Sequence, residues 1–481
     1  MAILEDGGNA FDAAVAAAFT LHVVEPHLNG PAGEVPIILT PTGQAPRVLC
    51  GQGPAPAGAT IEHYTRPGLG LVSGTGPPAA AVPGAFDAWM PLLRDHGTKR
   101  LSDVLAHAIW YAERGHPVLG DVRYTLSAMQ NLFESEWITS ATVYLRDGKP
   151  PAPGQLLKNP VPARNWRRLI SEAEAAHADR KAHIETARRT WREGFITEAL
   201  TATAAQPTPD TPGERHTGTP TGNDLVNYTA TYEDPAAYTW KGRTIAKPGL
   251  WSQDPVFLQQ PALLPEHLDH GTADYYHAPI EGSKLAMADR EARYGDGTDM
   301  PLEALLSPTY NAERRAAITP EASRRLRPGS PDGRPPRVSS HAVSTVPEQF
   351  PAGVGEPTVT ATRAAHGDTC HLDVVDRWGN MIAATPSGGR LDLQGAIDAP
   401  NWHQDSFPGS FYPRSMNPGG VTMESRFGAE ILIELRRRGH RITMGDAWSE
   451  GRICAVARDP EAGVLSAAAN PRGMQGYAAG R

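Results

Sequence analysis

Residues 366–380 read HGDTCHLDVVDRWGN, in which Thr369 follows an acidic residue, Asp368, and opens a short amphipathic stretch that closes on a Gly-Asn turn. A threonine hydroxyl is a weak nucleophile until a base removes its proton. One economical base is the α-amino group of the same residue, which exists only when that residue is N-terminal. Its ordinary pKa of about 7.7–8.0 leaves a useful neutral fraction near pH 7. Scission of the Asp368–Thr369 bond therefore creates the base. Before scission, the Thr369 hydroxyl can attack the Asp368 carbonyl, giving an N-to-O acyl shift and an ester that water opens. A second hydroxyl beside Thr369 would orient it in both steps.

The surrounding elements decide whether such a hydroxyl is present. CHLDVVD and MIAAT flank RWGN, which predicts a hairpin centred on Trp378. Thr369 and Ser387 each lie nine residues from that centre and so face each other in this register. Upstream, residues 324–365 are rich in Pro, Gly, Ser and Thr without apolar period, and are expected to form an exposed, mobile linker running into Thr369.

Near the start, Gly7-Gly8 and an Asn9 cap with Asp12 in the first turn predict a helix that stops before Pro26, followed by the strand VPIILT. Two helices are expected across residues 79–118, divided by Gly97, the second capped at Ser102. Residues 155–205 read as a charged helical hairpin with its Arg and Glu facing solvent. Residues 208–224 read as a turn-rich connector. Short strands should follow around residues 230–249, and a helix in IEGSKLAMADREARYGD. The C-terminal part predicts a helix around ESRFGAEILIELRRRGH with Gly439 after its end, then a hairpin over RICAVARDPEAGVLSAAANP.

The totals exclude several functions. A chain of 481 residues, 40% apolar and 20% charged, can bury a large core. A net charge of -8 and a pI near 6.1, with no basic tract, argue against nucleic acid and anionic membranes as partners. Three cysteines, Cys50, Cys370 and Cys454, fit neither a disulfide framework nor CxxC zinc spacing. Free thiols in a reducing cytoplasm are the expectation, with no membrane span. No P-loop, HExxH or dinucleotide fingerprint is present. His22, Glu25 and His27 are read as a helix end, and His403 and Asp405 as loop packing, so neither a metal nor a cofactor is implied.

EDGGNAFDAAVAAAFTLHVVEPHLNG and DTCHLDVVDRWGNMIAATPS, with AVPGAFDAW, TGNDLVNY and IEGSKLAMADRE, resemble the γ-glutamyltranspeptidase (glutathione hydrolase) family of N-terminal nucleophile hydrolases. The resemblance implies an α/β fold, a four-layer αββα sandwich. It also implies self-cleavage of a zymogen before Thr369, an acyl-enzyme on the Thr369 hydroxyl, and Ser387 hydrogen-bonded to that nucleophile. The implied organisation is a large subunit, 1–368, and a small subunit, 369–481, which stay associated. Association into a higher oligomer is left open. The implied activity is amide hydrolysis or acyl transfer on a small γ-glutamyl or other acyl amide.

Three departures temper the substrate. Gln52, in CGQGPAPAGAT, stands where the family places an arginine for the substrate carboxylate; an amide lacks that charge and fork. The segment after Thr369 is short, and the strands carrying the family's amine-binding acid, Ser-Ser pair and Gly-Gly oxyanion hole are expected to be missing, with Gly388-Gly389 as a remnant. Met1 lies close to GGNA, where the family has a strand and a helix, as in a fragment or an internally deleted gene. Gln52, Gly388 and Gly389 are the candidate substrate contacts. An acylase for non-γ-glutamyl amides and an inert, uncleaved relative are the alternative readings.

Overall fold

The computed structural model describes residues 1–67, 69–74, 76–209, 214–339, 371–384, 399–410, 414, 416–451, 454–459, 461–469 and 478–480. Its central element is a five-stranded antiparallel sheet built from β1 (Val35–Thr40), β2 (Arg47–Gly51), β3 (Thr231–Glu233), β4 (Leu372–Val375) and β5 (Met381–Ala384), in the order β4-β5-β1-β2-β3. Alternation decides its faces. Val35, Ile37, Leu39, Leu49, Ile382 and Ala384 point into one apolar core, joined by Leu372 and Val374.

That core is completed by helices α1 (Ala10–Val24), α2 (Ala85–His96), α3 (Leu101–Arg114), α4 (Pro160–Ala176) and α5 (Arg180–Glu193). The fold is α/β. α1 starts as its sequence predicts: the Asn9 side chain accepts from the Phe11 and Asp12 backbone N–H groups, and the Asp12 carboxylate accepts from the Asn9 N–H at 2.9 Å. Asp12 also takes the N–H groups of Thr98 and Lys99, so one buried carboxylate joins the start of α1 to the loop before α3. The alanines of α1 let it approach the sheet closely. Phe19 then meets Phe86 and Trp166 edge-on at 5.9 and 5.8 Å, and Phe86 stacks on Trp191 at 4.2 Å.

The cap of α3 differs from expectation. Arg100 is the N-cap residue and Asp103 closes back on its N–H, while the Ser102 hydroxyl bonds Glu174 on α4. The stretch expected as a solvated helical hairpin also differs. It forms α4, α5 and a third helix, Phe195–Ala204, and Arg188 turns inward to make a two-pronged pair with buried Asp87 at 2.8 and 2.6 Å. Asp87 also accepts the Ala230 N–H, which secures the chain just before β3. A buried carboxylate on α2 demanded a partner, and helical periodicity could not say which arginine supplied it.

α6 (Ala273–Arg293) begins earlier than predicted and is buried along most of its length, with Pro279 inside it. It packs against a three-stranded sheet of β6 (Trp402–Gln404), β7 (Gly420–Glu424) and β8 (Arg441–Gly445), and against α7 (Ala429–Arg437), through Ile280, Val421, Met423, Phe427, Leu432 and Leu435. β6 and β7 are antiparallel, whereas β7 and β8 are parallel, as the intervening α7 requires. His403 therefore sits on a strand, not in the expected loop. Gly439, after α7, has the left-handed φ of 101° that its position predicts. The last hairpin, β9 (Cys454–Arg458) with β10 (Leu465–Ala469), is as expected.

The stretch expected as a mobile linker is docked over its first part. Arg327 bonds Glu281 and the Ala317 carbonyl, the Gly329 N–H bonds buried Asp289, and Arg334 pairs with Asp299. Its Pro-rich composition concealed these arginine contacts; residues 340–365 lie outside the described residues. Among the described residues no helix is long and apolar enough to cross a membrane.

Candidate active site

Asp368, Thr369, Ser387, Gly388 and Gly389 lie outside the described residues. What frames them is described. β4 and β5 pair Leu372 with Ala384 and Val375 with Met381, the register of a hairpin centred on Trp378.

The turn of this hairpin is fixed by a residue that sequence reading did not single out. Asp376 is buried, and its carboxylate accepts from four donors: the N–H of Ala10 at 2.9 Å, the N–H groups of Trp378 and Asn380 at 3.0 Å each, and the Asn380 side-chain amide at 2.8 Å. Gly379 supplies the positive φ the turn needs, 89°. Thr42 adds bonds to the Trp378 carbonyl and the Asn380 side chain. The hairpin is thus held by the first turn of α1 and by the end of β1. A signal was present in the sequence: an aspartate just before a Trp-Gly-Asn turn is placed to accept the turn's own N–H groups.

β1 carries this alignment to Gln52. Ile37 pairs with Ala384 on one side, and Val35 pairs with Gly51 on the other. Gln52 therefore leaves the sheet at the same end as His371 and Ala384. Two strands separate β4 from β2, so the lateral offset is three strand spacings, about 14 Å. A small substrate reaching from Gln52 toward the start of β4 would have to bridge that span.

The Gln52 backbone is on a rigid platform. A Cβ on Gly53 would meet the Val82 carbonyl oxygen at 1.5 Å, and one on Gly84 would meet the Gly51 oxygen at 2.3 Å, so only glycine permits these backbones to touch. The Tyr228 hydroxyl donates to the Cys50 and Gln52 carbonyls at 3.3 and 3.4 Å. Burial pushes the Cys50 thiol up to about 11, which leaves it inert as a nucleophile.

The groups set aside in the sequence fall in other places. His22 packs edge-on against Phe19 at 5.2 Å, and burial alone drives its pKa down to about 3. His403 bonds Glu450 at 2.6 Å, and that carboxylate raises the histidine above its ordinary range. His22 lies on α1 and His403 on β6 of the three-stranded sheet, so neither is carried by a strand of the five-stranded sheet.

Comparison with known proteins bears on this frame directly. A family model described as gamma-glutamyltranspeptidase matches residues 1–391 and 388–480. The solved structure of LmbA2991HD superposes with a TM-score of 0.94 at 54% identity, covering 100% of this chain and 96% of that one. A glutathione hydrolase proenzyme of Bacillus subtilis (strain 168) is 25% identical over 80% of this chain and 61% of its own length. An acylase ACY 1 proenzyme of Pseudomonas sp. (strain SE83) is 27% identical over 80% of this chain and 62% of its own length. The chain thus spans about three fifths of the length of these two curated relatives.

Proposed function

Because this chain belongs to the gamma-glutamyltranspeptidase family, we propose that it is a self-processing amide hydrolase or acyltransferase with Thr369 as its nucleophile. The observation that carries the reading is the hairpin register. The described pairs run from Leu372–Ala384 to Val375–Met381, and the same register continued three residues further would bring Thr369 opposite Ser387, which supports the reading.

In the first step the Thr369 Oγ attacks the Asp368 carbonyl carbon. The C–N bond breaks, the nitrogen takes the hydroxyl proton, and an Asp368–Thr369 ester forms. The Thr369 amine is free from that point, and water then opens the ester to an Asp368 carboxylate and the Thr369 hydroxyl. In turnover that amine accepts the Oγ proton as the oxygen attacks a substrate amide, and passes it to the departing amine. The acyl group is left as an ester on Thr369 and is released to water or to an acceptor amine. Ser387 orients the nucleophile in both reactions, and Gly388-Gly389 and Gln52 contact the substrate.

The sheet order supports the association of the two pieces. β5, which follows the cut, pairs along its length with β1, which precedes it, so the products share one hydrogen-bonded sheet. The division into a large piece, 1–368, and a small piece, 369–481, belongs to this proposal. So do the four-layer αββα arrangement and a cytoplasmic location.

A second reading has its own observation. Gln52 offers a neutral amide where the family resemblance implies an arginine, which favours acyl groups without a charged α-carboxylate. Hydrolysis of γ-glutamyl-p-nitroanilide compared with glutaryl-p-nitroanilide separates the two. Release only from the glutaryl compound selects the acylase reading, and release from neither, in uncleaved protein, overturns both.

A further inference from the structure

β4 and β9 belong to different sheets, yet one cluster of side chains joins them. The His371 Nε2 lies 2.9 Å from the Asp373 Oδ2, and the Cys454 Sγ lies 3.3 Å from the same oxygen. The three ligand atoms fall within 4.8 Å of one another. Leu372 and Val374 point into the helical core, so strand alternation puts His371 and Asp373 together on the opposite face. Their side chains are only 18% and 10% exposed, so bulk water does little to dilute their interaction. All three residues line a cleft of about 1420 Å³ that also borders α1 and β10.

The order of these groups excludes a nucleophilic triad. A catalytic thiol needs the imidazole beside it as base, but here the carboxylate stands between them. Burial and the adjacent Asp373 push the Cys454 thiol up, the reverse of activation. Two polar hydrogens, on sulfur and on the ring, converge on one carboxylate oxygen. A divalent cation at that point takes the place of both.

We propose that His371, Asp373 and Cys454 form a binding site for a zinc-class divalent cation, clipping the β9–β10 hairpin to β4. Thiolate, imidazole and carboxylate are the donor set such borderline-soft ions take, and three protein ligands with a fourth position open to a cleft is a common arrangement. Tetrahedral zinc at its usual bond lengths of about 2.0–2.3 Å holds neighbouring ligand atoms about 3.3–3.6 Å apart. The observed 2.9 and 3.3 Å separations open by a few tenths of an ångström, and the third, between His371 and Cys454 and within 4.8 Å, closes to about 3.6 Å. On binding, the Cys454 thiol releases its proton to solvent, and the His371 proton moves from Nε2 to Nδ1, which has no partner among the described residues. Sequence spacing hides the site, because the cysteine lies 81 residues from the aspartate.

The test uses tag-free full-length protein, stripped with chelator and titrated with Zn²⁺ against a chromophoric competitor. A parallel titration with Co²⁺ reads the thiolate-to-cobalt charge-transfer band. The expected result is one ion per chain, a thiolate band, and a higher melting temperature with Zn²⁺. Cys454→Ser and Asp373→Asn should each weaken binding at least about 100-fold, beyond the range of changes to outer partners of a metal site. Cys454→Ser should also abolish the band, while Cys50→Ser and Cys370→Ser preserve it. Absence of stoichiometric binding to the unsubstituted protein overturns the proposal without reference to any variant. So does a band that survives Cys454→Ser or disappears with either of the other cysteines. Because no readout is catalytic, these outcomes are independent of whether Thr369 is the nucleophile.

Discussion

Replacing Asp376 by asparagine is the sharpest perturbation of the frame around the candidate nucleophile. The aspartate receives four donors, two on each oxygen: Trp378 and Asn380 N–H on Oδ1, Ala10 N–H and the Asn380 amide on Oδ2. Asparagine keeps one acceptor oxygen and turns an NH₂ group toward the remaining two donors. Two donors are thereby left without an acceptor; only the Ala10 N–H is fully buried and the other three are part-buried, so the loss should be about 1–3 kcal/mol. Against a typical total of about 5–15 kcal/mol this is a sizeable fraction. The assay is urea unfolding in a Thr369→Ala background, where no scission complicates the transition, with the midpoint compared at constant m-value. With Thr369 intact, Asp376→Asn should also slow the appearance of cleaved chains, because β4 is no longer held at its turn. A loss below about 1 kcal/mol with normal processing would refute the view that this carboxylate positions the hairpin.

Two further outcomes follow from the same structure. Gln52→Arg should shift the kcat/KM ratio toward γ-glutamyl over glutaryl anilide by about 10–100-fold, the value of about 1.5–3 kcal/mol for a hydrogen bond to a charged group; an unchanged ratio removes Gln52 from the substrate contacts. The second concerns buried His440, whose pKa is driven down to about 3 by burial first, then by the charges of Lys284, His277 and Arg438. Its other neighbour is the His277 Nδ1 at 2.9 Å. The unfolded chain binds the proton near the ordinary value of 6.5 and the folded chain does not, so stability is full above pH 6.5 and falls toward pH 3. The slope from this one residue approaches about 1.4 kcal/mol per pH unit, and His440→Gln should flatten the acid limb of a stability-versus-pH curve; an unaltered limb contradicts the assignment.

Local signals were legible where local physics decides the outcome. Asn9 and Asp12 announce a helix start, the Trp378 turn sets a register, and Gly439 ends a helix, each through contacts between residues a few positions apart. The misses share a different cause. The Asp87–Arg188 pair, the docking of Arg327 and Arg334, and the His371–Asp373–Cys454 cluster join residues far apart in the chain. No periodicity specifies such partners, because composition records that an arginine is charged and not which buried carboxylate it meets. Ser102 misled for a related reason: it is a good cap by type, but Arg100 and Asp103 closed the turn first. The relation of Gln52 to the hairpin was only half legible. Its role came from the family resemblance, whereas its position at the shared end of the sheet follows from β1 pairing with both β2 and β5.

The central claim is that the backbone breaks between Asp368 and Thr369. Mass spectrometry of intact, purified protein and of its N-termini tests it most directly. Two chains, 1–368 and 369–481, are predicted, with a new terminus at Thr369 and a single uncut chain for Thr369→Ala. One full-length species persisting through prolonged incubation, or a terminus at any other residue, would contradict the account.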